Sequence, residues 1–154
     1  MTRDMAFVTF EPNDGAFQAS VSIDSLLSMD FDHERTLIKA VKIYKTNVEK
    51  MRRLVSEIDE KRQARIRVPA REVWNVGDVV FKLTNDLRTI ALEVDDLYAH
   101  LARDLCVKRK WLENAIILRR YVPERKAIPR ELNWGRLEKG TRRSAERIAR
   151  GVPL

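Results

Sequence analysis

The feature that most constrains this chain is a run of apolar residues spaced alternately three and four positions apart. This spacing continues through four heptads and is typical of the a and d positions of a coiled-coil helix. A single helix cannot cover such a face, so the run predicts a long helix packed against a second helix of similar length. The residues one step after the d positions are mostly small, so a partner helix could approach closely there; they are Gly77, Thr84, Ala91 and Tyr98. The run consists of Val73, Val76, Val80, Leu83, Leu87, Ile90, Val94, Leu97 and Leu101.

A second heptad run earlier in the chain supplies the partner helix. Its next a and d positions are Arg62 and Arg65, so we expect this helix to end there. Residues 66–70 form a short connector, which favours antiparallel neighbours. The sequence therefore predicts a mainly α fold, a helical bundle built on a long antiparallel coiled-coil-like helical hairpin over residues 31–106. The partner run consists of Leu37, Val41, Tyr44, Val48, Met51, Val55 and Ile58.

Residues 1–30 have a different pattern, which favours β structure. Segments 6–10 and 16–23 are strand-like, and the five residues between them are Glu-Pro-Asn-Asp-Gly, a strong turn sequence. We predict a small N-terminal β-hairpin, although a loosely ordered arm fits the sequence equally well. Because an isolated hairpin is marginally stable, it must pack on the helices or add its edge to another chain.

The remaining residues, 107–154, are expected to form basic C-terminal helices within the same single domain. One helix is predicted over 107–121 and ends before Pro123, either as a bent continuation of the second helix or as a separate one. A linker over 124–128 leads to Pro129, which suits the start of a last helix. Four apolar residues give that helix a thin buried face: Leu132, Leu137, Ala145 and Ile148.

The positive charge of the chain is concentrated in this C-terminal segment. The formal net charge is +7, and residues 107–154 hold 14 of the 30 basic side chains but only five of the 23 acidic ones. Such asymmetry favours a polyanionic partner, because clustered Lys and Arg release counterions from phosphates. A solvated face that only maintains solubility is the alternative.

Aromatic residues lie among these cations, at Trp111, Tyr121 and Trp134. Bases of single strands stack on such side chains, but we favour the interpretation that the tryptophans anchor the last helices on the bundle. No DNA-reading motif is present, so sequence-specific recognition is not expected. A second basic group, Lys61, Arg62, Arg65, Arg67 and Arg71, lies at the predicted hairpin tip. The predicted nucleic-acid contacts are Arg136, Lys139, Arg142, Arg143, Arg147 and Arg150, followed by Lys108, Arg109, Lys110, Arg119 and Arg120.

No catalytic motif is evident, so we expect no enzyme, no catalytic residues and no cofactor. The chain has two histidines, His33 and His100, which antiparallel packing would bring near each other. A metal site needs three or four converging ligands. We therefore favour the interpretation that no metal binds here. The acidic residues beside the heptad positions of one helix would instead form ion pairs with basic residues of the other helix of the hairpin. The set that would have to converge is Asp32, His33, Glu34, Asp96, His100 and Asp104.

Cys106 is the only cysteine, so no intramolecular disulfide is possible. With no apolar run that spans a bilayer and no signal-like segment at residues 1–10, we expect a cytoplasmic protein without a membrane partner.

The sequence thus predicts a non-enzymatic, nucleic-acid-binding helical subunit of a larger assembly, which contacts the phosphates of RNA or DNA without reading their sequence. The alternative is a protein–protein interaction or scaffold module. In that case the helices form a homo-oligomer or bind an acidic protein.

Overall fold

The computed structural model describes residues 5–10, 17–22, 33–90, 92–94 and 96–154. These residues are mainly helical, which confirms the predicted fold class at that level. Short 3₁₀ turns at Arg125–Ala127, Trp134–Arg136 and Glu138–Gly140 separate the last two helices. None of the described helices is both long and apolar enough to cross a membrane. The described α-helices are α1 (His33–Gln63), α2 (Ala70–Thr89), α3 (Leu97–Leu105), α4 (Arg109–Tyr121) and α5 (Thr141–Ala149).

Helix α1 packs along α2 through its predicted heptad run. The run is buried from Tyr44 to Ile58 and only partly buried at its first two members. The helix ends at Gln63, and Arg65 beyond it has a left-handed φ of 57°. The helix therefore ends close to Arg62 and Arg65, as predicted, because burying these charged side chains at a and d positions of a core would be unfavourable.

Helix α2 lies at the centre of the helical packing and is buried on two sides. One side is its heptad run, which is buried from Val73 to Leu87, and the other includes Trp74 and Gly77. Helix α4 covers this second side so closely that a Cβ added at Gly77 would lie 2.2 Å from the carbonyl oxygen of Ala115. The small residue thus admits a partner helix, and that helix is α4.

The prediction that the second helix continues to Leu101 is wrong. Helix α2 ends at Thr89, a strand β3 covers Leu92–Val94, and α3 begins at Leu97. Leu92 lies outside the heptad run but is fully buried, and it belongs to an alternating segment, Ile-Ala-Leu-Glu-Val. Such alternation is typical of a strand, although Ile90 and Val94 also fit the heptad spacing of a helix. The predicted hairpin region 31–106 therefore contains a strand and a third helix.

The N-terminal strands join this short strand in one sheet. Strand β1 (Met5–Phe10) pairs antiparallel with β2 (Phe17–Ser22), and β2 pairs antiparallel with β3, with Val21 opposite Leu92. The sheet order is β1-β2-β3. The turn residues 11–16, on which the predicted β-hairpin depends, lie outside the described residues.

The last helix is shorter than predicted, because it begins at Thr141 instead of near Pro129. The segment before it forms turns, since its backbone groups bond to the α1–α2 connector. The Ala70 amide donates to the Leu132 carbonyl at 2.9 Å, and the Trp134 amide donates to the Val68 carbonyl at 2.8 Å. Helix α4 is separate from α3, which ends at Leu105 and is followed by Cys106 with a left-handed φ of 54°.

Candidate nucleic-acid interface

The predicted contact residues lie on the protein surface with one exception. Ten of the eleven are exposed, and Arg119 is partly buried. On α5 the exposed cations lie on the side opposite Thr141, Ala145 and Ile148, which pack inward. At 3.6 residues per turn, residues 142, 143, 147 and 150 share that outer side. We call Lys139, Arg142, Arg143, Arg147 and Arg150 the α5 outer face.

Most of the C-terminal cations have no acidic partner among the described residues. The exceptions are Arg109, which pairs with Asp96 and Glu113, Arg142 with Glu146, Lys126 with Glu124, and Arg119. Arg147 donates instead to the Pro153 carbonyl at 2.6 Å. Ten of the 14 Lys and Arg side chains in residues 107–154 are thus exposed without a described carboxylate within 4.0 Å. They are Lys108, Lys110, Arg120, Arg125, Arg130, Arg136, Lys139, Arg143, Arg147 and Arg150.

Arg119 differs from the prediction, because its charge is compensated inside the protein. Its Nε donates to Asp78 Oδ1 at 2.9 Å, and its side chain is 15 % exposed. The guanidinium carbon lies 4.2 Å from the centroid of the Phe81 ring and 5.3 Å from that of Trp74. Burial alone would raise the pKa of Asp78, but the hydrogen bonds and charges of Arg119 and Lys82 outweigh it and lower that pKa. Arg119 is therefore part of the α2–α4 contact.

The two basic groups identified in the sequence meet in space. Arg62 and Arg67 from the tip and Arg136 from the C-terminal segment line one cleft of about 460 Å³ together with Glu138. Arg62 also forms an exposed ion pair with Asp59 at 3.7 Å. An adjoining cleft of about 630 Å³ also includes Arg67 and Arg136. The backbone bonds between the connector and residues 132–134 hold these side chains together. We call Arg62, Arg67 and Arg136 the junction cluster.

Lys61 and Arg71 of the tip group have partners within the protein. Lys61 forms an ion pair with Glu72, and the Nε of Arg71 donates to the Ile128 carbonyl at 2.7 Å. Within the tip group, Lys61 and Arg71 therefore stabilise the fold, whereas Arg62 and Arg67 line the clefts.

The aromatic residues are arranged differently from the sequence order. Trp134 is buried with 2 % of its surface exposed, whereas Trp111 and Tyr121 are half-buried and lie beside Arg62 and Arg142, with ring-to-guanidinium distances of 5.6 Å. The exposed aromatic residue of the described helices is Phe81, at 47 %. The sequence interpretation missed it, although an aromatic side chain outside the heptad run of a strongly patterned helix is a usable signal.

The histidines do not form a described metal site. No group of three or more potential metal-binding side chains occurs among the described residues, and the side chains of residues 32–34 lie outside them. The predicted acidic residue Asp104 has another role, since the buried Tyr44 hydroxyl donates to its carboxylate. Burial, this hydrogen bond and the negative charge of Asp104 raise the pKa of Tyr44. Burial and the charge of Arg103 lower the pKa of His100.

Comparisons of the chain with protein-family models, curated proteins and solved structures found no significant match. The function has to be inferred from the charge, exposure and contacts of the side chains described above.

Proposed function

We propose that this protein is a non-enzymatic, nucleic-acid-binding helical subunit of a larger assembly, and that it contacts phosphates without reading base sequence. The observation that carries this proposal is that ten of the 14 cations in residues 107–154 are exposed and lack an acidic partner among the described residues. Uncompensated Lys and Arg side chains bind phosphates by releasing condensed counterions, which supplies affinity without sequence specificity.

The α5 outer face and the junction cluster are the proposed phosphate contacts. From Arg143 to Arg150 the helix rises about 10 Å at 1.5 Å per residue. Successive phosphates of one strand advance by about 3.4 Å along the axis of a duplex, so the length of this face corresponds to about three such axial steps. The junction cluster adds three guanidinium groups around the clefts, and guanidinium matches phosphate geometry through paired hydrogen bonds.

The finer architecture belongs to the same proposal. We propose that α1 and α2 form an antiparallel coiled-coil-like hairpin and that the N-terminal strands form a β-hairpin beside it. The buried heptad runs, the six-residue link and the Lys61–Glu72 ion pair support the first, and the antiparallel register of β1 and β2 supports the second. A single cysteine fits a cytoplasmic location, which we also propose.

Two triple variants test the phosphate contacts. The first, Arg136→Gln, Arg143→Gln and Arg150→Gln, removes three exposed cations that have no described acidic partner. The second, Lys42→Gln, Lys45→Gln and Arg53→Gln, removes the same charge from the exposed side of α1. Fluorescence anisotropy with a labelled 30-nucleotide strand at low salt compares them. We expect the first variant to bind about tenfold more weakly or worse, and the second to stay near wild type. Equal losses of affinity in both variants would show that binding depends only on the net charge of the protein, and would overturn the proposed interface.

The second candidate function is a protein-interaction module that self-associates through its helices. It is favoured by two large apolar side chains left on the surface, Ile38 at 63 % and Ile66 at 56 % exposure. Isolated exposed apolar residues are common, which places this candidate second. Light scattering at micromolar concentration tests it: a dimer that Ile38→Lys dissociates supports self-association, and a monomer at every concentration contradicts it.

A further inference from the structure

Phe81 is an exposed aromatic ring in contact with a cation that the protein holds in place. Arg119 covers the ring at 4.2 Å, while nearly half of the residue remains open to solvent. Arg119 is itself held by Asp78 and by the ring of Trp74, whose Nε1 donates to the Val122 carbonyl at 2.7 Å. The position of the Phe81 ring is therefore supported from the interior, and a flat group that stacks on it would not have to order it first.

A small cleft opens beside this ring. Its volume is about 260 Å³, and Asn85, Arg88, Arg119 and Arg120 contribute to its wall together with Phe81. Asn85, Arg88 and Arg120 are exposed, and no hydrogen bond or ion pair of their side chains occurs among the described residues. The cleft thus combines an aromatic platform, an amide that can donate and accept, and two uncompensated cations.

We propose that this cleft binds one unpaired nucleobase of a single-stranded nucleic acid, which stacks on Phe81 while Arg88 and Arg120 bind the neighbouring phosphates. The inference rests on the proposed function and adds a preference for single strands. Aromatic platforms flanked by cations are how proteins bind single strands without sequence preference. The contact of Arg119 with the ring adds a cation–π contribution.

The size and charge of the cleft favour a base over other ligands. Pockets for whole drug-sized ligands measure about 300–1,000 Å³, so this cleft accepts one flat ring system at most. Its flanking cations select a ligand with negative charge on either side of that ring, as in a polynucleotide. A base inside a duplex already stacks on its neighbours and is unavailable, so a duplex is expected to bind only through the α5 outer face and the junction cluster.

The test separates base stacking from phosphate binding. Anisotropy measures binding of three labelled probes of equal phosphate number: a single-stranded oligonucleotide, the same backbone made entirely of abasic sites, and a duplex. Wild type is compared with Phe81→Ala, with Phe81→Leu, which keeps apolar bulk without a ring, and with Phe81→Trp, which keeps the ring. Thermal melting confirms that each variant is folded, and if Phe81→Ala is not, Phe81→Leu carries the test.

We expect wild type to bind the base-bearing strand about 5- to 100-fold more tightly than the abasic strand. The Ala and Leu variants should lose this difference, Trp should retain it, and the salt dependence should be the same in all four proteins. Equal, salt-dependent binding of both strands by wild type would overturn the base site and leave the proposed function standing. Absence of binding to every probe would overturn both, as would binding of poly-glutamate alone.

Discussion

The α2–α4 contact and the α5 outer face both contain arginines from the basic C-terminal segment, yet the two regions use them in opposite ways. In the α2–α4 contact, Arg119 meets a carboxylate and two aromatic rings and is largely shielded from solvent. On the α5 outer face, Arg143 is exposed and meets no carboxylate among the described residues. A surplus of positive charge in a sequence therefore includes cations that are paired inside the protein and cations that are exposed and can bind a ligand. Only the packing of the helices shows which residues belong to which kind.

The physical basis of this difference is solvation. A charge withdrawn from water is stable in the fold only if a partner replaces its hydration, so removing Arg119 leaves Asp78 with the exposed Lys82 as its remaining cationic partner among the described residues. An exposed cation stays hydrated and contributes little to folding. Substitutions in the first region should change stability, and those in the second should change binding.

The largest expected effect concerns the heptad core on which both regions depend. Val48→Asp places a carboxylate in a buried heptad position and should reduce the free energy of unfolding by more than about 4 kcal/mol. Lys50→Asp, on the exposed side of the same helix, should change it by less than about 1 kcal/mol. Urea denaturation measures both. Similar effects of the two substitutions would mean that this face of α1 is not buried.

The next effect tests how closely α4 lies on α2. Gly77→Ala should reduce the free energy of unfolding by about 2–3 kcal/mol, because the added methyl group would overlap the Ala115 carbonyl, which is backbone and cannot rotate away. Gly135→Ala is the control, since no atom lies within 4 Å of its added Cβ. A Gly77→Ala protein as stable as the control would contradict the packing that positions Arg119.

The comparison itself is tested by one substitution in each region. Arg119→Gln should reduce the free energy of unfolding by about 1–3 kcal/mol, since it removes a charged hydrogen bond that is partly buried. Arg143→Gln should change stability by less than about 0.5 kcal/mol but weaken binding to a single strand and flatten its salt dependence by about one unit. Thermal denaturation and anisotropy measure the two properties. The comparison fails if Arg143→Gln is the more destabilising of the two.

The smallest effect is a pH dependence of the α2–α4 contact. The pKa of Asp78 in the folded protein lies below its ordinary value of 3.8, so near this pH the unfolded chain binds more protons than the folded one. The stabilisation by Asp78 is therefore present above about pH 5 and is lost as the pH falls through the folded pKa. Urea midpoints measured from pH 6 to pH 3 should fall more steeply for wild type than for Asp78→Asn. If the urea midpoints of the two proteins fall in parallel as the pH decreases, the acid sensitivity comes from other carboxyl groups.

The heptad runs predicted the buried side of α1 and one of the two buried sides of α2, because a spacing of three and four residues reports directly which side of a helix is apolar. They failed after Thr89, where Ile90, Leu92 and Val94 alternate and the same residues satisfy a strand. Spacing alone cannot decide between the two, since the choice depends on the pairing of β3 with the distant strand β2.

The basic surface could be predicted in composition but not in detail. The charge surplus lies in residues 107–154, and most of the cations of this segment are exposed. Which arginine would be compensated depended on α4 packing against Asp78, which is 41 residues away in the chain. The meeting of Arg67 with Arg136 likewise depends on backbone bonds between distant turns, and Phe81 becomes notable only because it stays exposed beside Arg119.

The most direct test of the central claim, that uncompensated C-terminal cations bind phosphates, is the affinity of the wild-type protein for a single-stranded oligonucleotide as a function of salt concentration. The logarithm of the binding constant should fall linearly with the logarithm of salt, with a slope of about −0.7 for each phosphate contact, and Arg136→Gln, Arg143→Gln and Arg150→Gln together should flatten it. A slope near zero, or no binding at low salt, would contradict the claim.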